Sequence, residues 1–170
     1  MRLIPSLLGA CVVAASLPLS AATPKPEIQR DTGAAQAVGA VHTLRTIPEA
    51  CARLEGSFTG EAAQPYKYAV VRTSPQCPPR ARFVDYTKAQ PTEAKGWKLN
   101  DVIRVPNAAC PSQQAVVHVW RKPAENAPQL DGQGSARVYL QDAKADAAAG
   151  KLAPVTMYAA EMKVEGKGCN

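Results

Sequence analysis

The chain has 170 residues, with 20 Lys+Arg against 14 Asp+Glu and a formal charge of +6 at pH 7. At 46% hydrophobic and 20% charged residues it is too apolar for a disordered polyelectrolyte, and it is long enough for one domain with its own core. The positive balance permits attraction to lipid headgroups, polyanionic glycans or nucleic acid but demands none of them, nucleic acid being the least expected.

The chain opens with a single charge, Arg2, and a nearly continuous apolar run from Leu3 to Leu19, closed by Ser20-Ala21-Ala22. Small residues after such a run are what a signal peptidase accepts, so residues 1–22 read as a cleaved signal peptide. Pro5 and Pro18 argue against a membrane-spanning helix, so none is expected in the mature chain. A minor alternative is a lipoprotein, because Leu8-Gly9-Ala10-Cys11 has the form of a lipobox. Export to the periplasm or the medium is the expected destination. Residues 23–39, with two prolines, two glycines and no apolar period, read as a flexible leader. A single β-rich domain is expected over 40–170.

Four cysteines follow the signal: Cys51, Cys77, Cys110 and Cys169. An even count behind an export signal predicts two disulfides. Of the three pairings, the non-interleaved Cys51–Cys77 with Cys110–Cys169 is preferred. No pair has the short spacing of a zinc site, and no metal or cofactor is expected.

In chain order, short β-type runs alternate with proline and glycine. Val41–Ile47 comes first, ended by Pro48, followed by Ala52–Phe58 with Ala52, Leu54 and Phe58 on one face. Tyr66–Tyr86 reads as a hairpin: one run to Thr73, a turn Ser74–Pro79 containing three prolines and Cys77, and a second run from Ala81. Thr87–Gly96 is polar and loop-like. Trp97–Val105 is a strand weakened by Asn100 and Asp101. Ala115–Arg121, apolar on both faces, should lie centrally in a sheet. A loop (Lys122–Ser135), a strand (Ala136–Gln141), a short alanine-rich helix (Asp142–Gly150) and a final strand (Val155–Val164) complete the set. The predicted fold is mostly β: an antiparallel sandwich or small barrel of about seven to nine strands, stapled by disulfides. Arg45–Cys51 echoes Arg104–Cys110, and Ala69-Val70-Val71 recurs as Ala115-Val116-Val117; shared composition accounts for this more simply than duplication.

Catalytic chemistry has few candidates. His118 lies in the most apolar strand and His42 near the start of the fold, and neither is flanked by an acid in sequence. Ser57, Ser74, Ser112 and Ser135 lie outside any nucleophile elbow. Asp131–Asp142 has the length of a calcium loop, but Ala136 and Arg137 occupy positions that a metal loop could not spare. The positive signal is charge: Lys67, Arg72, Arg80, Arg82 and Lys88 face one acid, Asp85, with Tyr66, Tyr68 and Tyr86 among them. Such interleaving suits an anionic polymer or surface, and it equally suits a charged strand edge that resists pairing. The sequence thus favours a non-catalytic binding or structural protein that meets an anionic envelope component or a protein partner. An exported hydrolase using His118, or an enzyme inhibitor presenting the Cys77 loop, are the other readings.

Overall fold

The computed structural model describes residues 24–124 and 155–169, and among these seven strands form two sheets packed face to face. One sheet has the order β1 (His42–Ile47), β2 (Ala52–Phe58), β3 (Tyr66–Arg72). The other runs β4 (Ala81–Phe83), β7 (Thr156–Gly166), β6 (Cys110–Lys122), β5 (Lys98–Asn107). All pairings are antiparallel except β4 with β7, which is parallel. This is the disulfide-stapled, mostly-β domain that the sequence predicts. The signal peptide, Cys11, Ser135, the strand at 136–141 and the helix at 142–150 lie outside the described residues.

The central position expected for Ala115–Arg121 holds, since β6 is flanked by β5 and β7. Its two apolar faces serve two cores. Ala115, Val117 and Val119 point between the sheets toward Leu54, Phe58 and Tyr66, while Val116 and Trp120 point outward to pack with Trp97, Leu99 and Ala159. Alternation in β2 also follows the sequence, with Ala52, Leu54 and Phe58 buried on one face.

Both disulfides join the preferred partners, Cys51 to Cys77 and Cys110 to Cys169. Cys51 and Cys110 each close the turn of an antiparallel hairpin, β1–β2 and β5–β6. The sequence echo goes no further, because Ala69-Val70-Val71 lies in an edge strand and Ala115-Val116-Val117 in a central one.

The hairpin expected over Tyr66–Tyr86 does not form. β3 pairs along its whole length with β2, from Phe58 opposite Tyr66 to Ala52 opposite Arg72. β4 instead joins the other sheet beside β7. The proline-rich loop between them is a crossover, held by the disulfide at Cys77 and by the Arg80 N–H donating to the Glu49 carbonyl at 2.7 Å. The physical reason is partner quality: β2 offers seven residues with a matching buried face, whereas β4 offers three. The polar stretch Thr87–Gly96 likewise carries more order than a loop, with a one-turn helix α1 (Tyr86–Ala89) and a 3-10 turn (Glu93–Lys95). The Asp85 carboxylate caps α1 by accepting from the Thr87 N–H at 2.8 Å and its hydroxyl at 2.7 Å, which holds its pKa below the ordinary value.

The leader is corrected as well. β5 is an edge strand, and the backbone N–H groups of Glu27, Ile28, Gly33 and Gln36 donate to its carbonyls at Leu99, Asn100, Arg104 and Pro106, each at 2.9 Å. Residues 27–39 therefore cover an edge that would otherwise present unpaired acceptors, then cross to the first sheet where Gly39 N–H bonds the Phe58 carbonyl. Proline at 106 is tolerated here because an edge strand needs no N–H at that point.

Ionic contacts fasten the same segment. A bulge at Asn100 turns Leu99 to the outer core and Asp101 inward, where Asp101 is fully buried. Its carboxylate accepts from Arg30 Nε and Nη2 at 3.0 and 2.7 Å and from Arg45 Nη1 at 3.1 Å. Arg45 Nη1 also reaches the Asn100 side-chain oxygen at 2.6 Å, and the Asn100 amide donates to Glu27 at 2.8 Å. Glu27 in turn accepts from Arg121 Nε and Nη2 at 3.0 and 2.6 Å, and this pairing depresses its pKa. The residues that weakened the strand signal are thus the ones that lock the leader in place.

Gly56 lies beneath the Tyr66 ring, and a Cβ there would come within 1.8 Å of the Tyr66 hydroxyl oxygen. Tyr66 is fully buried, bonds His42 Nε2 at 2.8 Å and packs edge-on to Phe58, so it has little freedom to move. Burial also lifts its phenol pKa well above the usual range. Gly56→Ala is expected to cost about 1–3 kcal/mol, the usual cost of overpacking. Denaturant unfolding checks it, with an unchanged midpoint counting against this packing.

Candidate functional site

With the β1–β5 side closed by residues 27–39, the β3–β4 side is where the sandwich opens. Three cavities meet at Val84, the residue following β4. The first, about 660 Å³, lies between β3 and β7 and is walled by Tyr68, Val70, Phe83, Tyr86 and Met162. The Tyr68 hydroxyl donates across it to the Ala160 carbonyl at 2.7 Å, which ties the two sheets together at this opening. Burial raises the pKa of both Tyr68 and Tyr86, with nearby Glu161 adding to each. The second cavity, about 640 Å³, lies on the outer face beside Trp97. The third, about 370 Å³, lies under the crossover between Arg72, Pro79 and Arg82.

The five basic residues singled out in the sequence do not converge on one face. Lys67 and Arg72 sit five residues apart along β3, about 17 Å, with their side chains on opposite faces. Arg72 is committed to its own loop: Nε donates to the Ser74 carbonyl at 2.9 Å, and Nη2 to those of Pro75 and Cys77 at 3.0 and 3.1 Å. Lys88 belongs to the Trp97 cavity instead. Arg80 and Arg82 remain together, two residues apart across buried Ala81, both exposed and with neither side chain hydrogen-bonded among the described residues. The missed feature of this end is Lys88, Lys95 and Lys122, which fall around one cavity although 34 residues separate the first from the last. No local pattern signals it, since Lys122 ends β6 and the other two precede β5.

His118 lies on the outer face of β6, opposite Glu161 of β7. Its Nδ1 is 3.7 Å from the Glu161 carboxylate, beyond hydrogen-bond length, and is buried without a partner among the described residues. No hydroxyl or thiol bonds the ring among those residues, and all four described cysteines are in disulfides. Burial lowers the His118 pKa, and Lys163 and Arg104 act in the same direction against Glu161. A histidine whose folded pKa is depressed stabilises the fold above its unfolded value of about 6.5, and that contribution is lost as pH falls toward the folded value. His118→Gln is accordingly expected to flatten the decline in stability just below pH ~6.5. Thermal unfolding across that range checks it, and parallel curves for the two proteins would refute it.

Among the described residues no three His, Cys, Asp or Glu side chains cluster as a metal ion would require, and no helix is long and apolar enough to cross a membrane. The two disulfides suit an oxidising environment. In comparisons with protein-family models, curated proteins and solved structures, the chain matches none.

Proposed function

We propose that this is an exported, non-catalytic binding protein of the periplasm or medium that meets a polyanionic partner through Arg80 and Arg82. One observation carries the reading. Arg30, Arg45, Arg53, Arg72 and Arg121 are each engaged by carboxylates or carbonyls, whereas Arg80 and Arg82 stand two residues apart with no side-chain partner among the described residues, Arg82 on the lining of an open cavity. Guanidinium groups so placed can each grip a carboxylate, sulfate or phosphate through two parallel N–H bonds. The stapled crossover behind them holds their backbone still, which reduces the entropy lost on binding. Retention on immobilised heparin at low salt is expected to fall sharply in Arg80→Glu/Arg82→Glu and to persist in Lys67→Glu. Equal retention of the arginine double variant and the parent would sink the reading.

A second reading has its own support. The disulfide and the three carbonyl bonds from Arg72 set the loop Ser74–Pro79 in one backbone shape before any partner arrives, as an inhibitory loop requires. Stoichiometric loss of activity in a panel of secreted proteases, reversed by reducing the Cys51–Cys77 bridge, would favour it over the polyanion. The hydrolase reading has no comparable support, since nothing nucleophilic bonds His118 among the described residues.

A further inference from the structure

We infer that the outer-face cavity beside Trp97 is a binding site for an amphipathic organic anion, an alkyl or aryl chain ending in a carboxylate. At about 640 Å³ the cavity has the size of a small-molecule site. Its floor is apolar: Val84, Ala89, Trp97 and Met157, all part of or packed against the outer core. Its rim carries three ammonium groups, from Lys88, Lys95 and Lys122.

Charge decides what the site would accept. Among the described residues the one acid on the lining is Asp85, and its carboxylate oxygen is already used by the Thr87 N–H and hydroxyl in capping α1. Against it stand three cations. Lys95 Nζ donates to the Gln90 backbone and side-chain oxygens at 3.2 and 3.5 Å, which spends two of the three protons an ammonium offers. The stem of Lys122 passes over Gly96, next to Trp97, so its methylenes extend the apolar wall while its head stays at the rim. An apolar ligand alone would leave the rim unanswered, and a small inorganic anion would leave the floor uncovered. A ligand with both parts answers both.

This site is independent of the polyanion contact, because neither Arg80 nor Arg82 lines it. The full chain, with both disulfides formed, is titrated with dodecanoate below its micelle concentration. Tryptophan fluorescence is followed and calorimetry gives the stoichiometry. Saturable one-to-one binding is expected, with dodecan-1-ol about tenfold weaker or more, a difference equivalent to one lost charge interaction. Lys88→Glu/Lys95→Glu/Lys122→Glu should weaken dodecanoate by about tenfold or more and leave dodecanol unchanged. These lysines are surface side chains, so the variant is expected to fold. Ala89→Trp, which fills the floor, should abolish binding of both, with circular dichroism showing the fold retained. Arg80→Glu/Arg82→Glu should bind dodecanoate like the parent. No saturable binding, equal affinity for dodecanoate and dodecanol, or full affinity in the triple lysine variant would each overturn the proposal.

Discussion

Asp101→Ala is expected to destabilise the domain by about 3–5 kcal/mol, the usual cost of removing one partner from a buried ion pair. A whole domain of this kind is stable by only about 5–15 kcal/mol, so the variant should approach the threshold of folding at 37 °C. The size follows from what is left behind. Asp101 is wholly buried, and its carboxylate answers the guanidinium of Arg45, whose side chain is only 14% exposed. Without it, Arg45 keeps the Asn100 oxygen alone and carries an uncompensated charge between the sheets. Arg30 is 35% exposed, so water can take over part of its solvation, and Arg30→Ala should cost much less, about 1 kcal/mol. Urea unfolding with both disulfides intact distinguishes the two. Equal effects of Asp101→Ala and Arg30→Ala would mean that Arg45 is not the residue left stranded. Limited proteolysis adds a spatial readout, because Arg30→Ala should expose the segment 27–39 to cleavage while leaving β5 protected.

The second large effect concerns the longer disulfide. Cys110–Cys169 closes a separation of 59 residues and Cys51–Cys77 one of 26, so constraint of the unfolded chain assigns them about 4 and 3.5 kcal/mol respectively. The folded state widens that gap. Without Cys51–Cys77 the crossover keeps the three carbonyl bonds from Arg72 and the Arg80–Glu49 backbone bond. Beyond β7, the Ser112 hydroxyl donating to the Lys167 carbonyl at 2.9 Å is the hydrogen bond that remains near Cys169 among the described residues. Replacing both cysteines of each bridge by alanine should therefore lower the denaturation midpoint more for Cys110/Cys169, with a steeper denaturant slope because the released unfolded chain exposes more surface. A reversed order would show that the crossover holds more of the fold than its loop length implies.

Much of this architecture was legible because it depends on short-range pattern. Apolar alternation in Ala52–Phe58 and the two-faced apolar run Ala115–Arg121 report the surroundings of each strand, so their burial could be read before their partners were known. Cysteine spacing left three disulfide pairings open, and the preferred non-interleaved one is the one that forms. What stayed hidden was pairing at a distance. Tyr66–Tyr86 has the composition of a hairpin, yet β3 found a longer partner in β2 and β4 was taken by β7. Residues 27–39 lack apolar period, because that segment is held by backbone bonds and by Glu27 and Arg30 rather than by a buried face. Asn100 and Asp101 looked like defects, since a bulge and a buried carboxylate make sense only once Arg30 and Arg45 arrive from elsewhere.

The sequence alone therefore determined the β class and the central strand and predicted two disulfides, from local periodicity and an even cysteine count, while the structure chose among the three pairings. Only the tertiary structure decided which cations stand together. It separated Lys67 from Arg72, bound Arg72 into its loop, left Arg80 and Arg82 without a side-chain partner among the described residues, and drew Lys88, Lys95 and Lys122 around one cavity. The reason is physical: charge can be counted along a chain, but the field at a surface depends on which side chains the fold brings within a Debye length of about 8–10 Å and which it neutralises.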